Sequence, residues 1–242
     1  MKRIFLLMSM CMVVLAGCAQ KTDTFETFSG KKVVITPVKH GTMRITYDDS
    51  IEIDIDPVTA LPPVTDYSTF PKADIILVTH EHFDHLDKDA IEQLTKDGTR
   101  LFVNGRVGEI LGKGEVMKNG DIAKYMDDIT IEAVPAYNTS ADKQQFHPQG
   151  RDNGYVLTID GLRIYIAGDT EVIPEMSQMR HIDIAFLPTN LPFTMTPEQT
   201  ASAARLIQPT VLFPYHYGET KIERVKELLD GTGIEVRIRN YQ

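Results

Sequence analysis

The chain has no tryptophan, and only two cysteines in 242 residues. Both cysteines, Cys11 and Cys18, stand near the N-terminus. From Ala19 onward no disulfide can form and no thiolate can ligate a metal. Any metal held by the body of the chain must therefore be held by His, Asp or Glu. Positive charge is also scarce: 25 Lys and Arg face 34 Asp and Glu, for a net charge of −9. That balance argues against a nucleic-acid partner. No low-complexity tract or internal repeat is visible, and the one long apolar run, residues 4–15, is too short for a comfortable membrane span.

That run is informative in its own right. Lys2 and Arg3 precede it and Leu15-Ala16-Gly17-Cys18 follows it, the order of an export signal. The ending resembles the lipobox of bacterial lipoproteins, which implies cleavage before Cys18 and lipid attachment to its sulfur. Ala19 after the cysteine resembles the outer-membrane retention pattern. Loss of residues 1–17 would take the formal charge from −9 to −11, because Lys2 and Arg3 leave and no acid does. Residues 18–30 read as a lipidated tether, and residues 31–242 as one domain large enough for a substantial core.

Short β-rich runs dominate the first half of that domain, at 33–38, 43–47, 51–55, 74–79 and 100–103. Further strands fit 129–134, 154–159, 163–167, 183–187 and 211–213, with Asp160-Gly161 as a hairpin turn. Helices fit 87–96, closed by Asp97-Gly98, and 196–207, where Thr196 caps and Pro197 takes the first position. A third helix fits 219–229. Many strands with few helices suit two packed sheets covered by helices. The long irregular segment 137–153 reads as a functional loop, and it contains His147.

The richest stretch is His80-Glu81-His82-Phe83-Asp84-His85, directly after the apolar run Ile75-Ile76-Leu77-Val78-Thr79. A buried strand there would deliver three imidazoles and a carboxylate to one loop, and packing does not explain that density of ligands. Three more signals stand at strand ends: Gly168-Asp169-Thr170, His216 after Val211-Leu212-Phe213, and Tyr137 after Val134-Pro135-Ala136.

Taken in that order, the signals resemble the metallo-β-lactamase superfamily, with HxHxDH, a single His, an Asp and a last His. Val78-Thr79-His80, Ala167-Gly168-Asp169-Thr170, Leu187-Pro188-Thr189-Asn190 and Phe193-Thr194-Met195-Thr196-Pro197-Glu198 are similar to the ascorbate-6-phosphate lactonase-like branch of metal-dependent hydrolases. The resemblance implies an αββα sandwich of two mixed sheets flanked by helices. It implies two divalent metals, zinc or else manganese, which an all-N/O site also suits. His80 and His82 would bind one metal, Asp84, His85 and His216 the other, and Asp169 would bridge them. Asp84 would also orient a shared hydroxide and carry a proton. The branch often has a His where this chain has Tyr137, so either His147 completes the first site or that site lacks a histidine; His147 is the favoured reading. His40 is expected near the site, with a structural role as the other reading. Arg151, Asn153, Tyr215 and Tyr217 are candidate substrate contacts, against simple turn or packing roles, and His181 reads as a surface residue.

These residues imply a hydrolase of a lactone, ester, amide or phosphodiester in a small or lipid-like substrate. An exported β-lactamase is the first alternative, but zinc β-lactamases typically use a cysteine where this chain has Asp169. A non-catalytic metal-binding surface lipoprotein is the second, and it would predict a degraded ligand cluster.

Overall fold

The computed structural model describes residues 21–241. The expected export signal at 1–17 and the lipidation site Cys18 lie outside the described residues. Among the described residues, fourteen strands form two seven-stranded sheets. The first carries, in spatial order, β1 (Asp23–Glu26), β2 (Lys32–Lys39), β3 (Thr42–Tyr47), β4 (Ile51–Ile55), β5 (Ile75–Val78), β6 (Arg100–Val103) and β7 (Glu115–Val116). The second holds β8 (Ile122–Met126), β9 (Ile129–Ala136), β10 (Asp152–Ile159), β11 (Leu162–Ile166), β12 (Ile184–Pro188), β13 (Val211–Tyr215) and β14 (Glu235–Val236).

Each sheet begins as an antiparallel meander of four strands and continues with three parallel ones. The two halves of the chain thus share one topology, a repeat that the sequence does not display. The expected hairpin forms between β10 and β11, with Asp160 at φ 44° and Gly161 at φ 83°, the signs a type I′ turn requires.

Period-two alternation decides which side chain enters which layer. Ile75, Leu77 and Phe102 face the second sheet, where they join Tyr155, Leu157, Ile166, Phe186 and Phe213. Their neighbours Ile76, Val78 and Val103 point outward to α1 (Lys88–Leu94) and α2 (Gly105–Leu111). Val156, Tyr165, Ala185 and Leu212 likewise meet α3 (Pro197–Ile207) and α4 (Glu223–Leu228). Four layers result, αββα. Phe186 and Phe213 stack with centroids 4.8 Å apart in the central layer, where Phe→Ala would cost about 3–5 kcal/mol. α3 starts as expected, with Thr196 in a capping box with Gln199 and Pro197 in the first turn.

One expectation needs correction, and one helix was not foreseen. Residues 23–26 are not tether but strand β1, paired antiparallel with β2. Buried Asp23 there receives Arg237 and Arg239, which tie it to the far end of the chain. α2 also escaped the sequence reading, because Gly105 and Gly108 weaken its helical signal. Gly108 has a packing reason: a Cβ there would stand 2.8 Å from Val116.

Candidate metal centre

The carboxyl ends of β4, β5, β11, β12 and β13 converge at one edge between the sheets. They deliver Asp56, His80 to His85, Asp169, Asn190 and His216 in turn. The loop after β9 brings His147, and the turn after β2 brings His40. Six of the seven histidines in the chain fall into three overlapping ligand groups. The seventh, His181, is exposed as expected. The groups are His80, His82 and His147; His80, His85 and Asp169; and His40, Asp84, His85 and His216.

Hydrogen bonds on the outer ring nitrogens set how the imidazoles point. Asp56 accepts from the Thr79 backbone and hydroxyl, each at 2.7 Å, and from His85 Nδ1 at 2.8 Å. The Thr79 hydroxyl in turn lies 2.9 Å from His80 Nδ1. Asp152 holds His147 Nδ1 at 3.1 Å, and the Asn190 amide lies 3.3 Å from His216 Nδ1. In all four rings Nε2 is left facing inward. Those four atoms surround Asp169: 4.0 Å for His80, 3.5 Å for His85 and 3.4 Å for both His147 and His216. Asp84 Oδ2 sits 2.9 Å from His40 Nε2 and 3.3 Å from His216 Nε2.

Close approach and strain accompany the convergence. A Cβ on Gly41 would stand 2.7 Å from the His85 ring, so only glycine fits there. His40, Asp56 and His216 have φ of 47°, 44° and 48°, a left-handed conformation that costs a non-glycine residue about 1–3 kcal/mol. Loss of water works against charge at Asp169 and Asp84, yet the surrounding imidazoles keep both carboxyls below their usual range. His85 feels the reverse: burial pulls its pKa down, but Asp169, Asp56 and Asp84 hold it up at about 10. Burial is the main cause of the lowered values of His80, His82 and His40.

The residues fit divalent cations. His85 Nε2 and Asp169 Oδ1 are buried, have no hydrogen-bond partner among the described residues and face each other across 3.5 Å, an arrangement that a cation between them would satisfy. Ligand atoms about 2.0–2.1 Å from a tetrahedral zinc stand about 3.4 Å from one another, close to the spacings around Asp169. The donors are imidazole and carboxylate, which suit zinc or manganese.

The structure places His147 beside His80 and His82, with ring centroids 4.9 and 4.8 Å away. Tyr137 turns the other way, its hydroxyl 3.0 Å from Glu175. Three expected substrate contacts are corrected. Tyr215 is fully buried in the central layer. The Tyr217 hydroxyl donates to the Arg239 carbonyl and accepts from the Tyr241 N–H. Asn153 accepts from Asn119 and donates to the Met117 carbonyl. All three are structural. Arg151 grips Asp152 at 2.6 Å and Glu81 at 3.1 Å, so it acts through them on the His147 loop. Asp56 and Asp152 were not expected from sequence; an acid directly after the β-rich run 51–55 was the available signal for the first.

A β-lactamase superfamily domain model matches residues 20–216. The chain belongs to that superfamily. Within it the chain is a UPF0173 metal-dependent hydrolase, being 34% identical over 205 residues to such a protein from Thermococcus onnurineus, across 80% of each chain. It is also similar to the solved structure of a candidate metal-dependent hydrolase from Parabacteroides distasonis, with 54% identity and a TM-score of 0.89. That likeness covers 93% of this chain and 100% of the other. Igni18, a metallo hydrolase of Ignicoccus hospitalis, shares 27% identity at a TM-score of 0.72, over 86% of this chain and 95% of its own.

Proposed function

We propose that this hydrolase works with two divalent cations, one at His80, His82 and His147 and one at Asp84, His85 and His216, with Asp169 between them. The orphaned pair, His85 Nε2 and Asp169 Oδ1, carries the reading. When bound, such ions polarise a substrate oxygen and hold water deprotonated near neutral pH. The protein's own part is positional. Asp56, Asp152 and Asn190 fix the ring orientations, and burial excludes competing water. Asp84, at the cavity wall and hydrogen-bonded to His40, is placed to orient a nucleophile and pass a proton to the leaving group.

The substrate is a lactone, ester, amide or phosphodiester of a small or lipid-like molecule. The likeness of residues 187–190 and 193–198 to the lactonase-like branch supports a lactone among these. The N-terminal motif supports an exported protein anchored through Cys18 to the cell envelope, in the outer membrane on the evidence of Ala19. No helix among the described residues is long and apolar enough to cross a membrane. Two measurements test the reading. Elemental analysis of protein reconstituted with zinc or manganese should give two ions per chain, with turnover in an ester, lactone and phosphodiester screen; one ion with full turnover would overturn the binuclear assignment. Mass spectrometry of the mature N-terminus should find acylated Cys18, and an unmodified terminus would refute the anchor.

A further inference from the structure

The Asp169 cluster opens into a cavity of about 580 Å³, a size suited to a small organic ligand. One wall is the ligand set itself. The outer wall is apolar: Leu61, Phe83, Phe146 and Phe193. Phe83 is 78% exposed and Phe193 42%, an unusual placement for two phenyl groups at the mouth of a charged site. Among the described residues, no lysine or arginine lines the cavity. Arg151, the basic residue beside the His147 loop, is already committed to Asp152 and Glu81.

The apolar wall is held in place. Lys39, buried at the end of β2, donates to the carbonyls of Thr59, Leu61 and Pro63 at 2.8, 2.6 and 2.8 Å, and so pins the segment that carries Leu61. Phe146 meets Phe193 edge to face with centroids 5.4 Å apart. Asn138 donates to the Phe193 carbonyl at 2.8 Å, and Lys143 to the Thr194 carbonyl at 3.0 Å, tying the two loops together.

We infer that the part of the substrate remote from the scissile bond is an uncharged apolar chain or ring, seated in this collar. A cation pair at the cluster would meet the reacting group, but a second anionic group, such as the phosphate of a phosphorylated sugar, would find no partner here. The substrate class is a neutral acyl ester or lactone with an apolar acyl group. This rests on the hydrolase reading above, so the test carries one arm that needs no turnover.

In the first arm, metal-loaded full-length protein is given p-nitrophenyl esters from acetate to octanoate, with the hemisuccinate as a charged comparator. kcat/KM should rise about three- to fourfold per methylene, and the hemisuccinate should fall below the neutral ester of equal length. Phe83→Ser and Phe193→Ser should flatten that slope. In the second arm, calorimetry follows binding of methyl ketones from 2-butanone to 2-decanone, which have a carbonyl but no leaving group. Affinity should tighten with chain length and lose that dependence in the two variants. Length-dependent ketone binding with no ester turned over would uphold the collar and count against ester hydrolysis alone. A flat ketone series, no ketone binding, or preference for the charged ester would overturn the inference.

Discussion

Asp56 Oδ2 lies 2.8 Å from His85 Nδ1, and this contact decides which ring nitrogen faces Asp169. A metal-ligating histidine is commonly oriented by such a carboxylate, whose loss costs about 10–100-fold in affinity or activity. Asp56→Asn should therefore fold, lose cation on gel filtration and drop turnover within that range. Unchanged metal content by elemental analysis would show that the ring holds its orientation without the acid.

His85→Ala and His147→Ala should each deplete about one cation per chain, because each removes one buried nitrogen from a three- or four-ligand set. Asp169→Ala should lose both. It removes the acid that stands within 4.0 Å of four imidazole nitrogens and leaves two cations to repel at short range. Metal stoichiometry alongside circular dichroism separates ligand loss from misfolding.

Tyr215 gives a control in the opposite sense. Its buried hydroxyl meets no partner at full hydrogen-bond geometry among the described residues, its one backbone approach being to Gly168, and it lines no part of the cavity. Tyr215→Phe should leave kcat within about twofold and hold or raise the melting temperature, since it deletes an unsatisfied polar atom. A loss of about a hundredfold or more, the effect of deleting a hydrogen-bond donor to a developing oxyanion, would restore Tyr215 as a substrate contact.

Glu171 anchors the loop that carries His147. It accepts from the backbone of Thr139 and Ser140 and pairs with Lys143 at 3.0 Å. Burial alone would raise its pKa, but the Ser140 N–H, Lys143 and the Ser140 hydroxyl hold it down at about 2, against an ordinary 4.5. A depressed carboxyl stabilises the folded state fully above its unfolded value and stops doing so as pH falls through the folded one. The advantage of the native chain over Glu171→Gln should thus be complete above about pH 4.5 and close toward pH 2. Urea titrations of both proteins across that window give the comparison, and a pH-independent gap would mean the carboxylate charge is not what anchors the loop.

The layers of this fold were legible because short β-rich runs such as 154–159 and the caps of α3 are local signals. The six-residue cluster was legible for the same reason: its ligands are neighbours in the chain. His147 was nameable as a candidate, but its meeting with His80 and His82 depends on a loop path that no periodicity encodes. Asp56 and Asp152 went unseen because a carboxylate that orients another residue looks, in sequence, like any acid near a turn. Tyr215 and Tyr217 misled in the opposite direction. Adjacency to His216 suggested a shared site, yet Tyr215 completes the inward alternation of β13 and Tyr217 turns back to the C-terminal segment. β7 and β14 are two-residue edge strands, too short to leave a pattern.

The shared topology of the two halves governs how the centre is assembled. His80, His82, Asp84 and His85 come from the first half, and His147, Asp169 and His216 from the second. Neither half holds a complete set of ligands. On the proposed assignment the first site waits for His147 and Asp169 and the second also for His216, so a growing chain would hold no full ligand set until the second sheet is largely built. Ions bound as proposed would cross-link the two sheets, like rivets set after the plates are aligned.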